Sequence, residues 1–467
     1  MLYTGVNNAP CISSLDSIYH KCGIVGIFSQ KKENIPEKLF YSLFSLQHRG
    51  QESSGIAYKK GNEIVVYKDL GMVSTVLSRY LSENKPSNVG IGHVRYSTHG
   101  GTTLENAQPF VVTCNKGEIA LAHNGNISNS LILKKRLFEE GSIFQSTSDT
   151  ELILHFISRS KKRDFRAALV ETLLKLEGAY SMVMIHNDSL LAMRDPLGFR
   201  PLYIGNTNDM IVITSETCAL DILEVSDYRS VLPGELIIID GEGIKSERFA
   251  ENNRSKSQCI FELIYFARPD SYVFDTSVYM TRKKIGTALA ECETHRGDIV
   301  VPVPDSGNSA ALGYAEASGL PFELALTRNH YAGRSFIMPT TAQRTLAVRM
   351  KLHPVRDAIR GKRIFLIDDS LVRGTTSGIL VKLIKDAGAR EVHLRLSSPE
   401  IQWPCYFGID IPTRQELVSN SMTPPEIARH IGADSVMFIP LDKLKSCVEL
   451  PSDYCFACFS GDYPLPV

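Results

Sequence analysis

A chain of 467 residues exceeds one usual hydrophobic core, so two domains are expected. Lysine plus arginine and aspartate plus glutamate number 51 each, which leaves no basic excess to drive binding to nucleic acid or to an anionic membrane. No apolar run is long enough to cross a bilayer, and residues 1–21 lack the basic start and apolar core of a secretory signal. The chain therefore reads as soluble and cytoplasmic, with its ten cysteines as thiols, metal ligands or catalysts.

After a patternless leader, Cys22 runs straight into the apolar, glycine-containing strand Gly23 to Phe28. A lone cysteine in such a place is most often a small buried residue. Short β-rich runs follow at Ile64 to Tyr67, Ile119 to Ala122, Ser181 to Ile185 and Ile211 to Thr214, and Glu151 to Phe156 reads as a helix that Asp149 could cap. The polar run Glu251 to Gln258 is the clearest break in composition, and the domain boundary is placed there, giving 22–250 and 251–467. Beyond it, Val301 to Val303 is a strand ending in the turn Pro304-Asp305-Ser306-Gly307. Ile364 to Ile367 is a strand buried on both faces, with Asp368 and Asp369 at its carboxyl end. Ligands bind in the crevice outside such strand ends, where paired carboxylates can hold ribose hydroxyls or help seat a hydrated Mg2+. Gly374, Thr375, Thr376 and Ser377 then open a helix with apolar residues on one face, a cradle for a phosphate, and a strand from Val392 to Leu396 completes a βαβ unit. Cys455 and Cys458 have metal-ligand spacing, which Cys259 and Cys405 could complete; Zn2+, a 4Fe-4S cluster and four unligated thiols all fit that spacing. Cys11, Cys114, Cys218, Cys292 and Cys447 are left as ordinary thiols, Cys447 being closest to the terminal pair.

The loop from Asp368 to Ser377 resembles the signature of type I phosphoribosyltransferases, which bind 5-phosphoribosyl-1-pyrophosphate (PRPP) with Mg2+. Gln47 to Gly55, Gly92 to Thr98, His123 to Asn126 and Ser148 to Glu151, together with Cys22, resemble the N-terminal-nucleophile glutaminase domain of class II amidotransferases. The loop Arg328 to Phe336 resembles the lid of glutamine amidophosphoribosyltransferases, with His330, Ala332 and Ser335 departing from the common pattern, as does His353 further on. The contexts of Cys259, Cys405, Cys455 and Cys458 resemble the iron–sulfur branch of that family.

These resemblances imply an α+β and α/β chain. A four-layer αββα glutaminase domain would be followed by a phosphoribosyltransferase domain on a mainly parallel sheet. Glutamine hydrolysis needs a nucleophile, a base, an oxyanion site and an amino-acid clamp. Cys22 would supply the first two once residues 1–21 are removed as a propeptide, because its freed α-amine can act as base for its own thiol. By resemblance, Asn124 and the Gly125 N–H hold the oxyanion, while Arg95 and Asp149 clamp the carboxylate and ammonium of glutamine. Arg194 to Leu202 is read as a structural turn. On the PRPP side, Asp368 and Asp369 would face the ribose and metal, Arg373, Gly374, Thr375, Thr376 and Ser377 the 5-phosphate, Ser306 the Mg2+, and Tyr331, Lys351 and Arg356 the lid and pyrophosphate. One Mg2+ and one structural 4Fe-4S cluster per subunit are implied, along with purine nucleotide inhibitors and a homotetramer. Two rivals are another class II amidotransferase and a non-catalytic PRPP-sensing purine regulator. The PRPP loop argues against the first, and neutral charge with an intact glutaminase half against the second.

Overall fold

The structure, a computed structural model, describes residues 22–81, 86–96, 102–250, 255–329, 346, 348–409, 411 and 413–466. The leader, Cys11, Ser97, Thr98 and the lid positions His330 to Phe336, Tyr331 among them, lie outside the described residues. Two compact units divide the rest. One draws its described residues from within Tyr19–Thr281, Trp403–Pro412 and Val448–Val467, the other from within Arg282–Gln402 and Thr413–Cys447. No described helix is long and apolar enough to cross a membrane.

The first unit is built on two antiparallel sheets, of seven and six strands among the described residues. Gly23–Glu33 lies in the middle of the larger one, between Met210–Thr214 and Ser87–Arg95. Its side chains alternate as the period of a strand requires. Ile24 and Phe28 enter a core shared with Ala122, Val183 and Ile237 of the six-stranded sheet, while Val25 and Ile27 pack with Leu39 and Leu43 of helix Ile35–Ser45. A Cβ on Gly26 would stand 2.8 Å from Leu190 Cδ1, so glycine lets the sheets approach here. The far face of the six-stranded sheet, with Leu121, Tyr180 and Met182, is covered by Leu152 and Phe156 of helix Thr150–Arg159 and Leu169 of helix Phe165–Leu173. The layers are thus helix, sheet, sheet, helix.

The second unit carries a four-stranded parallel sheet in the order Ile299–Pro302, Arg363–Asp368, Glu391–Leu396, Ser435–Phe438. Its strands are almost wholly buried, with Ile364, Leu366, Val392 and Leu394 in one cluster with Leu380 and Ile384 of helix Thr375–Asp386. Helix Pro424–Ile431 starts with a Thr423/Glu426 capping box and stops at Gly432 in the left-handed region. The four strands of this sheet point their carboxyl ends to one edge, and the acidic loop emerges there.

Candidate functional site

Cys22 stands at the head of the central strand of the larger sheet, 9% exposed. Its Sγ donates to the Tyr96 carbonyl at 3.7 Å. Burial pushes the thiol pKa up, against the pull of the Tyr96 backbone and of Arg95, Arg200 and Arg49. Three guanidiniums bearing on one sulfur favour the thiolate that a nucleophilic cysteine must become. Arg49 Nε donates to the Cys22 carbonyl at 2.8 Å. The rest of its guanidinium reaches Glu262 at 2.8 and 2.9 Å and also Glu216.

Asn124 and Gly125 lie on strand Gly117–Ile127 of the other sheet. Asn124 is 2% exposed and its Nδ2 has no hydrogen-bond partner among the described residues. Leaving a buried amide donor unsatisfied costs about 1–3 kcal/mol, a cost recovered when a developing oxyanion accepts from it. Gly125 has φ +153°, and a Cβ there would lie 2.0 Å from the Ala179 carbonyl oxygen, so only glycine fits. The sheets are joined by His93 Nε2 against the His123 carbonyl at 3.1 Å. Burial, with help from Arg95, holds His93 down to about 3, and burial also lowers His123. Asp149 Oδ2 accepts from Ile127 N–H at 2.9 Å and Oδ1 lies 3.8 Å from His123 Nδ1. Its side chain does not cap the helix it precedes, so the carboxylate faces the interior. A line of neighbours thus runs from Cys22 through Arg95, His93 and His123 to Asp149.

In the second unit, Val303 N–H donates to the Ile367 carbonyl at 2.8 Å, and a Cβ on Gly307 would lie 2.3 Å from that same oxygen. The Ser306 turn is therefore packed on the strand that ends in Asp368. Desolvation and the adjacent Asp369 carboxylate push Asp368 well above the usual carboxylate range, with the nearby Lys351 ammonium pulling the other way. Asp369 N–H donates to Asp368 Oδ1 at 2.9 Å. Gly374, at φ +84°, turns the chain into helix Thr375–Asp386, and Arg373 pairs with Glu416 at 2.7 Å. Ser306, Lys351, Asp368, Asp369 and the Arg373 to Ser377 turn thus meet at one edge of the sheet. Paired acids beside a helix N-terminus can hold a sugar, a cation and a phosphate.

The model of a glutamine amidotransferase domain matches residues 93–221. Over 455 residues the chain is 46% identical to amidophosphoribosyltransferase 3, chloroplastic, of Arabidopsis thaliana, covering 96% of this chain and 85% of that protein. Over 462 residues it is 46% identical to the amidophosphoribosyltransferase of Methanocaldococcus jannaschii, covering 96% of this chain and 98% of that one. The chain belongs to the amidophosphoribosyltransferase family. Its fold matches the solved glutamine PRPP amidotransferase from B. subtilis complexed with ADP and GMP at a TM-score of 0.88 and 43% identity, over 95% of this chain and 97% of that one. The amidophosphoribosyltransferase fold, a glutaminase sandwich with a phosphoribosyltransferase sheet, accounts for both units.

Cys259, Cys405, Cys455 and Cys458, singled out in the sequence, all fall in the first unit. Cys259 and Cys455 are partners in a short parallel ladder. The Cys458 carbonyl accepts from Trp403 N–H at 3.1 Å, and Phe407 N–H donates to Cys405 Sγ at 3.4 Å. Burial pushes all four thiols up, Cys455 to about 12, and neighbouring cysteines of the set add to the rise at Cys259, Cys455 and Cys458. No group of three or more His, Cys, Asp or Glu among the described residues has the arrangement of a metal-ion site.

Sequence reasoning missed the ion cluster beneath Cys22. Arg49 entered only as part of a motif, Glu216 not at all, and Arg200 as part of a structural turn. Arg194 and Asp195 do hold that turn, through the Gly198 and Arg200 carbonyls and the Leu197 and Phe199 N–H groups. Arg200 instead reaches Glu262 at 3.1 Å and the Phe407 and Gly408 carbonyls. The available signal was the four charged residues themselves, Arg49, Arg200, Glu216 and Glu262, which is weak because charges are usually exposed.

Proposed function

We propose that this chain makes 5-phosphoribosylamine, glutamate and pyrophosphate from glutamine, water and PRPP, the opening step of purine synthesis. Residues 1–21 are removed as a propeptide, and the freed α-amine of Cys22 takes the proton of its own thiol. The sulfur attacks the glutamine amide, Asn124 Nδ2 and the Gly125 N–H hold the oxyanion, and ammonia leaves a thioester that water then hydrolyses. Arg95 pairs with the glutamine carboxylate and Asp149 with its ammonium, so amides lacking the amino-acid end are refused. Ammonia passes to C1 of PRPP. There Asp368 and Asp369 hold the ribose hydroxyls, the Arg373 to Ser377 turn the 5-phosphate, and Lys351 and Tyr331 the pyrophosphate end.

Ser306, Asp368 and Asp369 offer the hard oxygen donors that suit Mg2+, which when bound would neutralise pyrophosphate charge. The four cysteines suit one structural 4Fe-4S cluster per subunit: all donors are soft sulfur, and a cubane holds its thiolates further apart than a lone ion does. Purine nucleotides are the proposed inhibitors, in keeping with the ADP and GMP of the B. subtilis complex. The proposed assembly is a cytoplasmic homotetramer of subunits divided functionally at 22–250 and 251–467.

The observation that carries the glutaminase reading is the buried Asn124 amide, which has no partner among the described residues. Arg95→Ala is expected to lose glutamine use and to keep activity with free ammonia; loss of both would overturn the assignment of separate sites.

A further inference from the structure

The proposed oxyanion donors of the glutaminase, the Asn124 side chain and the Gly125 N–H, lie on a strand that is paired on one side with Gly178–His186, Gly125 standing opposite Tyr180. Gly125, at φ +153°, has a backbone freedom no other residue would have there. An N–H that must meet a developing charge at about 2.7–3.1 Å needs its residue held on the side away from that ladder as well. The structure supplies such a support from a segment 280 residues away in sequence.

Asn126 Nδ2 donates to the Tyr406 carbonyl at 2.7 Å. Gly408, at φ +93°, lies against the peptide that follows the Gly125 N–H, between Gly125 and Asn126: a Cβ on it would come within 3.2 Å of the Gly125 carbonyl carbon and 3.3 Å of Asn126 N. The same Cβ would stand 2.9 Å from Arg200 Nη2. That nitrogen donates to the Phe407 carbonyl at 3.1 Å and to the Gly408 carbonyl. Arg200 Nη1 reaches Glu262 at 3.1 Å, and Glu262 also takes Arg49, whose Nε holds the Cys22 carbonyl. The backbone of the nucleophile and the segment behind the Gly125–Asn126 peptide are therefore fastened to one ion cluster.

We propose that Tyr406–Gly408 is the outer wall of the oxyanion site, with Gly408, Asn126 and Arg200 as positioning residues that aim the Gly125 N–H. Phe407 N–H also bonds to Cys405 Sγ, so the wall is anchored in the cysteine cluster at one end and on the glutaminase strand at the other. The inference rests on the reading of Asn124 and Gly125 as oxyanion donors.

A support of this kind acts on the transition state and not on bound glutamine. Gly408→Ala and Asn126→Ala are each expected to lower glutamine-dependent kcat about 10–100-fold, the scale of a donor displaced by a fraction of an ångström to an ångström. KM for glutamine, the ammonia-dependent rate and the melting temperature should stay near those of the parent. Asn126 lies at the surface end of its contact, so its variant folds even if the glycine variant does not. Both folded variants keeping kcat within about twofold of the parent, or losing glutamine and ammonia use in equal proportion, would overturn the proposal. Asn124→Ala separates the two levels. Its failure to lower glutamine use would remove the oxyanion reading itself, whereas its loss beside unchanged Gly408 and Asn126 variants would remove only the wall.

Discussion

Replacing Glu262 with glutamine takes one negative charge from a cluster in which Arg49, Arg200, Glu216 and Glu262 are all at most 2% exposed. The carboxylate accepts from Arg49 at 2.8 and 2.9 Å and from Arg200 at 3.1 Å, so two guanidiniums lose a partner at once. Glutamine of the same shape would turn an N–H group toward one of them. Breaking a buried pair on one side costs about 3–5 kcal/mol, because the remaining charge stays out of water. At roughly 2 °C per kcal/mol for a unit of this size, the melting transition should fall by about 6–10 °C. The assay is a thermal scan of Glu262→Gln beside Glu247→Gln, whose partner Arg166 is largely exposed and whose loss should shift stability by less than about 0.5 kcal/mol. A Glu262→Gln protein melting within about 2 °C of the parent would refute the reasoning, since it would mean the cluster does not depend on that charge.

Glu151 gives a pH test. Burial opposes its ionisation, but hydrogen bonds from His155 and from Gln145 and Ser146 outweigh it and bring the pKa down to about 2. The folded value is below the unfolded one of about 4.3, so the stability it contributes is present above that pH and is lost as pH falls through about 2. Glu151→Gln should therefore cost about 3 kcal/mol by denaturant unfolding at pH 7 and less than half of that at pH 3; a gap independent of pH would contradict the bonding. For the cysteines, anaerobically purified protein should carry about four iron and four sulfide per subunit with visible absorbance that bleaches in air, and Cys458→Ser should carry almost none. Equimolar zinc and no iron would replace the cluster with a single ion.

The parts of the molecule that could be read in advance are those whose signal is local. The apolar run Gly23 to Phe28 forecasts a strand, though not the two cores it separates, and the run from Ile364 to Ser377 forecasts strand, acidic end and helix start within fifteen residues. Both are consequences of short-range periodicity and turn chemistry. What was not legible depends on partners far apart in the chain. Nothing about Glu216 or Glu262 in sequence says that they lie on either side of Arg49, and a solitary charge is ordinarily read as solvated. Nothing in the composition of Tyr406 to Gly408 says that it backs the peptide of Gly125, because Gly408 is one glycine of 33 and its meaning resides in what it touches.

The central claim is one coupled reaction on two sites. It is tested most directly by measuring glutamate and pyrophosphate release from glutamine by anaerobically purified protein, with PRPP and Mg2+ supplied or withheld. Equal release of both products, dependent on PRPP, is the expected result; glutamate formed without pyrophosphate when PRPP and Mg2+ are present would contradict it.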